Sequence, residues 1–213
     1  VPRQQQAQER VPDPQQVNQE EASRLAIAQE KAEKEQEAKR RQEQIDLTER
    51  NIVVFGAGAA GCGIAELILG ELVSRGLTRE AALARIHAVD RDGLLIEHVN
   101  VVTANQARIA RPHTEADAWL TQQQAPSLIE TIERARPAVL IGTSGQFEAF
   151  DKPVIEAMTR HNDRPIILPL SNPAIRAEAS AADVQTWSRG RAIIGTGSPS
   201  HGSNGAVTQV NNV

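Results

Sequence analysis

Six residues of this chain, Gly56-Ala57-Gly58-Ala59-Ala60-Gly61, form a G-x-G-x-x-G run between the apolar stretch Ile52-Val53-Val54-Phe55 and an amphipathic helical stretch. The context gives the run its meaning, because glycines at a strand-to-helix turn serve separate ends. Gly56 permits a tight turn, and Gly58 lets the backbone approach a pyrophosphate. Gly61 lets the helix pack close to the sheet. Ala59 and Ala60 carry backbone N–H groups into a helix N-terminus, where an anion is favoured. Read without a ligand, the same run is a tight strand-to-helix turn.

A ribose-binding carboxylate belongs at the end of the following strand, and Asp90 ends the run Ile86-His87-Ala88-Val89. It stands 29 positions after Gly61, against roughly 20 in the general fingerprint, and a short helix over 79–84 fills the difference. An acid there accepts hydrogen bonds from ribose hydroxyls and repels a 2′-phosphate, which favours NAD over NADP. Arg91 beside it is the residue type that accommodates that phosphate, so NADP stays open. Asp90 read alone is a solvated acid at a strand end. Two later loops also follow strands: Gly142-Thr143-Ser144-Gly145 and Leu170-Ser171-Asn172-Pro173. Ligands of open α/β sheets gather outside the carboxyl ends of strands, where Ser144 and Asn172 suit the nicotinamide half of a dinucleotide. Turn chemistry explains Ser-Gly and Asn-Pro as well.

The elements that must position these residues follow from an alternation beginning at Asn51. Short, continuously apolar runs occur at 52–55, 86–89, 138–141, 166–168 and 192–194, as expected of parallel strands covered on both faces. Between them lie helical patterns over 61–75, 79–84, 127–134, 152–159 and 179–187. Gly76 stops the first and Thr78 caps the second. Such repetition implies right-handed crossovers and an α/β, Rossmann-like, doubly wound parallel sheet over residues 51–213.

Residues 1–50 differ in character. They hold 11 glutamines, Pro2, Pro12 and Pro14, and few large apolar side chains. From 18 to 46 they are rich in helix formers, with Glu30–Lys34, Glu35–Lys39 and Glu37–Arg41 spaced i,i+4. Leu25, Ala28 and Ala32 begin a heptad-like stripe that Glu35 and Lys39 break. A charged, solvated helix or a partly disordered lead-in is the expectation.

Composition excludes several classes. The 213 residues carry a net charge of -4, with 40% apolar and 23% charged residues, which speaks against a nucleic-acid binder. No apolar run reaches the roughly 20 residues that span a bilayer. One cysteine, Cys62, allows neither an internal disulfide nor a multi-thiolate zinc site; beside a helix N-terminus its pKa would fall, whereas packed at the turn it is a small apolar side chain. With no secretory pattern visible, a reducing, cytoplasmic setting is expected. The chain begins with Val1 and its one methionine is Met158, so a partial product is expected.

Five segments give the sequence a resemblance. Gly56–Glu66, Val89–Leu95, Leu140–Gly145, Arg164–Pro173 and Gly190–Pro199 are similar, in order, to the NAD-binding domain of malic enzymes of the bacterial type. The resemblance implies oxidative decarboxylation of malate to pyruvate and CO2, with NAD(P) and Mg2+ or Mn2+, by a homo-oligomer at full length. Carried over by motif, the Gly56–Gly61 loop holds the pyrophosphate, Asp90 the adenosine ribose, and Asn172 malate or the nicotinamide side. Gln209-Val210-Asn211-Asn212 is similar to a second family motif whose asparagine contacts malate, which points to Asn212. The family's catalytic tyrosine, lysine and metal-binding acids precede its dinucleotide domain. This sequence has no tyrosine, and its lysines are Lys31, Lys34, Lys39 and Lys152. No catalytic residue or metal ligand is therefore assigned, and the expectation is a chain that binds coenzyme and turns over nothing alone. A non-catalytic nucleotide-binding or interaction module is the alternative, with the charged helix as its partner-binding arm. A methyltransferase is the third reading, and it leaves the Ser-Asn-Pro and Gly-Ser-Pro segments without a role.

Overall fold

The computed structural model describes residues 29, 31, 46–101, 103–197 and 207–209. The chain divides into two units, 1–45 and 46–213. The heptad stripe and ion pairs expected in the first unit lie outside the described residues, as do Asn212 and the Ser198-Pro199 end of the Gly-Ser-Pro segment.

In the second unit the strands are β1 (Ile52–Phe55), β2 (Ile86–Asp90), β3 (Gly93–Leu94), β4 (Val139–Gly142), β5 (Ile166–Pro169), β6 (Ile193–Thr196) and β7 (Val207–Gln209). They form one sheet in the order β3-β2-β1-β4-β5-β6-β7. Every pairing is parallel except β2 with β3. The five apolar runs are thus strands, and the doubly wound expectation holds. β4 and β6 run one and two residues further than the apolar runs, because Gly142 and Thr196 continue the ladder without adding to the apolar pattern. β3 and β7 are too short to leave a periodic signal.

Helices α1 (Ala59–Ser74) and α2 (Arg79–Leu83) cover one face, with Ala65, Leu69, Leu72 and Ala82 packed against Ile52, Val54, Ile86 and Ala88. On the opposite face, α5 (Leu128–Ala135), α6 (Lys152–His161) and α7 (Ala181–Trp187) press Ile132, Ile155, Met158 and Val184 onto Val53, Phe55, Val89 and Leu140. Two short helices, α3 (Ala104–Ala107) and α4 (Ala116–Trp119), lie between β3 and α5 in sequence. Strand residues alternate between the two clusters, which is why the strands read as unbroken apolar runs.

Helix boundaries follow local chemistry. α1 begins two residues earlier than its apolar pattern, because Ala59 and Ala60 are exposed and add nothing to the stripe. It ends at Gly76 (φ +102°), where Gly76 N–H donates to the Val73 carbonyl and Leu77 N–H to the Leu72 carbonyl, satisfying the last turn. Thr78 accepts from Ala81 N–H at 3.2 Å and Ser127 forms a capping box with Glu130, so both hydroxyls are caps. Ser180 caps α7, which therefore starts at Ala181, two residues later than its pattern suggests.

Candidate functional site

The sheet's connections reverse at β1, which lies between β2 and β4, so the loops leaving β1 and β4 diverge and open a crevice at their carboxyl ends. Gly56 turns there with φ +100°; a Cβ on it would lie 2.4 Å from the Ser144 nitrogen. A Cβ on Gly61 would fall 1.9 Å from the Gly56 carbonyl oxygen and 2.7 Å from Thr143 Oγ1. These two glycines let the β1 turn, the β4 loop and α1 close on one another. Thr143 fastens the junction, donating its N–H to the Phe55 carbonyl and its hydroxyl to the Gly56 carbonyl, each at 2.8 Å.

Gly58 is different. A Cβ there would meet nothing within 4 Å, so no packing within the chain requires a glycine. It is the N-cap of α1, makes no side-chain cap, and is followed by Ala59 and Ala60, both exposed; no acidic side chain stands in the first turn. The helix thus offers its N-terminal N–H groups and the positive end of its dipole to the outside.

Asp90, half-buried at the end of β2, is held at both oxygens. Oδ1 accepts from Arg91 N–H at 2.9 Å and Oδ2 from Gln106 Nε2 at 3.1 Å. The same Gln106 nitrogen lies 3.3 Å from the Ala57 carbonyl in the glycine loop. Gln106 is buried in α3, where its Oε1 also accepts from Thr103 N–H in a capping box. Arg91 is exposed.

Further along the same edge, Gly142 ends β4 and Pro169 ends β5. Ser144 does not present a free hydroxyl: it donates to Glu178 Oε1 at 2.9 Å and accepts from Gln146 N–H at 3.1 Å. Ser171 donates to the same Oε1 at 2.6 Å and accepts from Gly145 N–H at 2.9 Å. Asn172 is exposed next to it. Gly197 leaves room for this loop, since a Cβ there would stand 2.3 Å from the Leu170 carbonyl oxygen and 2.9 Å from Asn172 Nδ2.

Glu178 was not legible as a site residue, and neither was Gln106. Glu178 is 0% exposed, with no local pattern to announce a buried acid. The Thr103-x-x-Gln106 spacing signals a helix start but not the reach of Gln106 to Ala57 and Asp90.

Other candidates take structural places. Cys62 is 3% exposed and its thiol points at the Ala57 carbonyl, 3.3 Å away. Burial pushes its pKa up, and the nearby Asp90 and Glu66 carboxylates add to the shift, so the thiol is a packed apolar group and not an activated one. Glu66 pairs with Arg108 at 3.3 Å. Lys152, at the start of α6, is 62% exposed and lies 3.8 Å from Glu156.

A strand-order reversal, a glycine turn with open space at its second glycine and a fixed acid at the next strand end define a dinucleotide-binding α/β domain. More particularly, the chain belongs to the family described as malic enzyme, NAD binding domain, whose model matches residues 35–213. It is similar to the NAD-dependent malic enzyme of Idiomarina loihiensis, 43% identical over 159 residues, which are 75% of this chain and 28% of that protein. Similar too are those of Proteus mirabilis, 44% identical over 154 residues, and Shewanella frigidimarina, 41% over 153; each match covers 72% of this chain and 27% of the relative. The chain thus corresponds to little more than a quarter of the length of these relatives.

Proposed function

We propose that this chain is the coenzyme-binding part of an NAD-dependent malic enzyme, an oxidoreductase converting malate to pyruvate and CO2. The observation that carries the reading is the space at Gly58, bounded by an uncapped helix N-terminus and neighboured by a carboxylate held for a further partner. The names of the relatives supply the reaction, and full-length assembly as a homo-oligomer in the cytoplasm goes with it.

The residues fit a dinucleotide. Gly56, Gly58, Ala59, Ala60 and Gly61 hold the pyrophosphate through backbone N–H groups, with open space at Gly58 where the phosphate can approach the backbone. Asp90 has about four lone-pair sites and uses two of them on Arg91 N–H and Gln106, leaving acceptors for the adenosine ribose hydroxyls. A 2′-phosphate would set further negative charge against that carboxylate, so NAD is preferred even with Arg91 alongside. Ser144 and Asn172 border the nicotinamide half, and Asn172 and Asn212 reach malate. When bound, the coenzyme supplies the acceptor for the hydride leaving the malate C2.

The chain's own part is to bind and orient. Among the described residues no three His, Cys, Asp or Glu side chains converge to hold a metal ion, and no step is assigned to Mg2+ or Mn2+. Calorimetric titration with NAD and NADP, repeated on Asp90→Ala, tests the reading. NAD should bind more tightly than NADP, and the variant should lose about tenfold in NAD affinity and most of that preference. Equal binding by wild type and variant removes the ribose assignment. With malate and Mn2+ added, the chain should form no NADH.

A further inference from the structure

The Glu178 carboxylate is completely buried, yet every hydrogen bond it accepts comes from a neutral donor. Oε1 accepts from Ser144 N–H at 2.7 Å, the Ser144 hydroxyl at 2.9 Å, Gly145 N–H at 3.2 Å and the Ser171 hydroxyl at 2.6 Å. Oε2 accepts from Ser171 N–H at 3.3 Å. Three of the donors are backbone N–H groups of two different loops, one leaving β4 and the other leaving β5. The carboxylate lies against Gly142 so closely that a Cβ there would be 2.7 Å from its carbon. An ion at this depth is costly, and five donors converging on it are the compensation.

We infer that Glu178 is a positioning residue for the nicotinamide half of the coenzyme, its carboxylate locking the β4 loop and the β5 loop into one jaw at the crevice. The inference rests on the dinucleotide reading above. Gly145 N–H donates to Ser171 Oγ, and Ser171 and Ser144 both donate to Glu178, so a continuous chain of hydrogen bonds joins the loops through this one acceptor. Each serine spends its single proton on Glu178 and offers a ligand only acceptor capacity. Asn172 takes its place in the crevice from Ser171, its neighbour in the chain. Among the hydrogen bonds described, none joins Glu178 directly to the glycine loop or to Asp90; the glycine loop meets the β4 loop through Thr143, so the adenosine half should depend on Glu178 less than the nicotinamide half does.

The charge is required, and not merely the bulk. A glutamine would fill the same volume but would carry an NH2 group among groups that all donate. Binding of NAD and of ADP-ribose, which lacks the nicotinamide, separates positioning from general support. Wild type should bind NAD more tightly than ADP-ribose. Glu178→Gln should lower NAD affinity about tenfold, closing that gap, and leave ADP-ribose within about twofold. Ser171→Ala keeps the carboxylate and removes one donor; it should lower NAD affinity about threefold with ADP-ribose unchanged, and it decides the matter if Glu178→Gln does not fold. Parallel weakening of both ligands, or no change in NAD binding, overturns the inference while the coenzyme site stands. A wild-type chain that binds neither ligand removes the coenzyme site itself, and the inference with it.

Discussion

Gln106 Nε2 lies 3.1 Å from Asp90 Oδ2 and joins the acid at the end of β2 to the glycine loop through the Ala57 carbonyl, 3.3 Å away. The acid proposed to recognise the ribose and the turn proposed to grip the pyrophosphate are therefore joined by one buried amide. Gln106→Leu removes the bridge and leaves the buried Ala57 carbonyl short of a donor. It should weaken NAD binding by about 1–2 kcal/mol, and the NAD-over-NADP preference should shrink, as read by titration calorimetry. Gln106→Glu sets a second carboxylate against Asp90 and should bind NAD more weakly still. Unchanged affinity in both variants rules the bridge out as a positioning device.

The three loop glycines should separate folding from binding. Gly56→Ala forces a side chain into φ +100° and into the Ser144 backbone; Gly61→Ala drives a methyl into the Gly56 carbonyl. Both should destabilise the domain by at least about 3 kcal/mol in urea titrations. Gly58→Ala meets open space at φ −76°, so stability should stay within about 1 kcal/mol while NAD affinity falls at least about tenfold. A Gly58→Ala protein that binds NAD normally contradicts the pyrophosphate assignment.

Cys62 gives a thiol-labelling prediction. With its side chain buried and its pKa raised, the folded chain should react with a disulfide reagent at least about a hundredfold more slowly than the urea-unfolded chain. Rapid labelling of the folded protein would show the thiol exposed and activated.

What the sequence reveals here divides by the range of the interaction. β1, the glycine turn and α1 are contiguous, so their apolar run, glycine spacing and helical stripe can be read from residues 52–76 alone. Asp90 follows because it ends the next apolar run. Gln106 acts on Ala57 across 49 positions, and Glu178 acts on Ser144 across 34. Such reach comes from the sheet order, which sets β1 beside both β2 and β4, and no local pattern contains it. Ser144 shows the limit from the other side: its place at a strand end can be read locally, but that its hydroxyl donates to Glu178 cannot. Asp90 and Gly58 remain candidates: Asp90 spends two lone-pair sites on Arg91 N–H and Gln106, and among the described residues a Cβ on Gly58 would meet nothing within 4 Å.

His87 sets the response to acid. It is the second residue of β2, 2% exposed, its ring 5.1 Å from that of Trp119, and its Nδ1 has no hydrogen-bond partner among the described residues. Burial, reinforced by the charge of Arg111, pushes its pKa from 6.5 down to about 3. A histidine that stays neutral when folded but takes up a proton when unfolded contributes stability fully above 6.5, and that contribution is lost as pH falls. The slope is about 1.4 kcal/mol per pH unit once pH is well below 6.5. Glu133, whose pKa is held below 4.5 chiefly by His161, with Arg160 adding to the effect, has the same sign, but its contribution is lost only below 4.5. Between pH 6 and 4.5, then, His87 contributes to the loss and Glu133 does not yet. Urea titrations across that interval should show the slope in wild type and a clearly flatter line in His87→Val, whatever the new baseline. Equal slopes would mean that His87 is protonated in the folded protein.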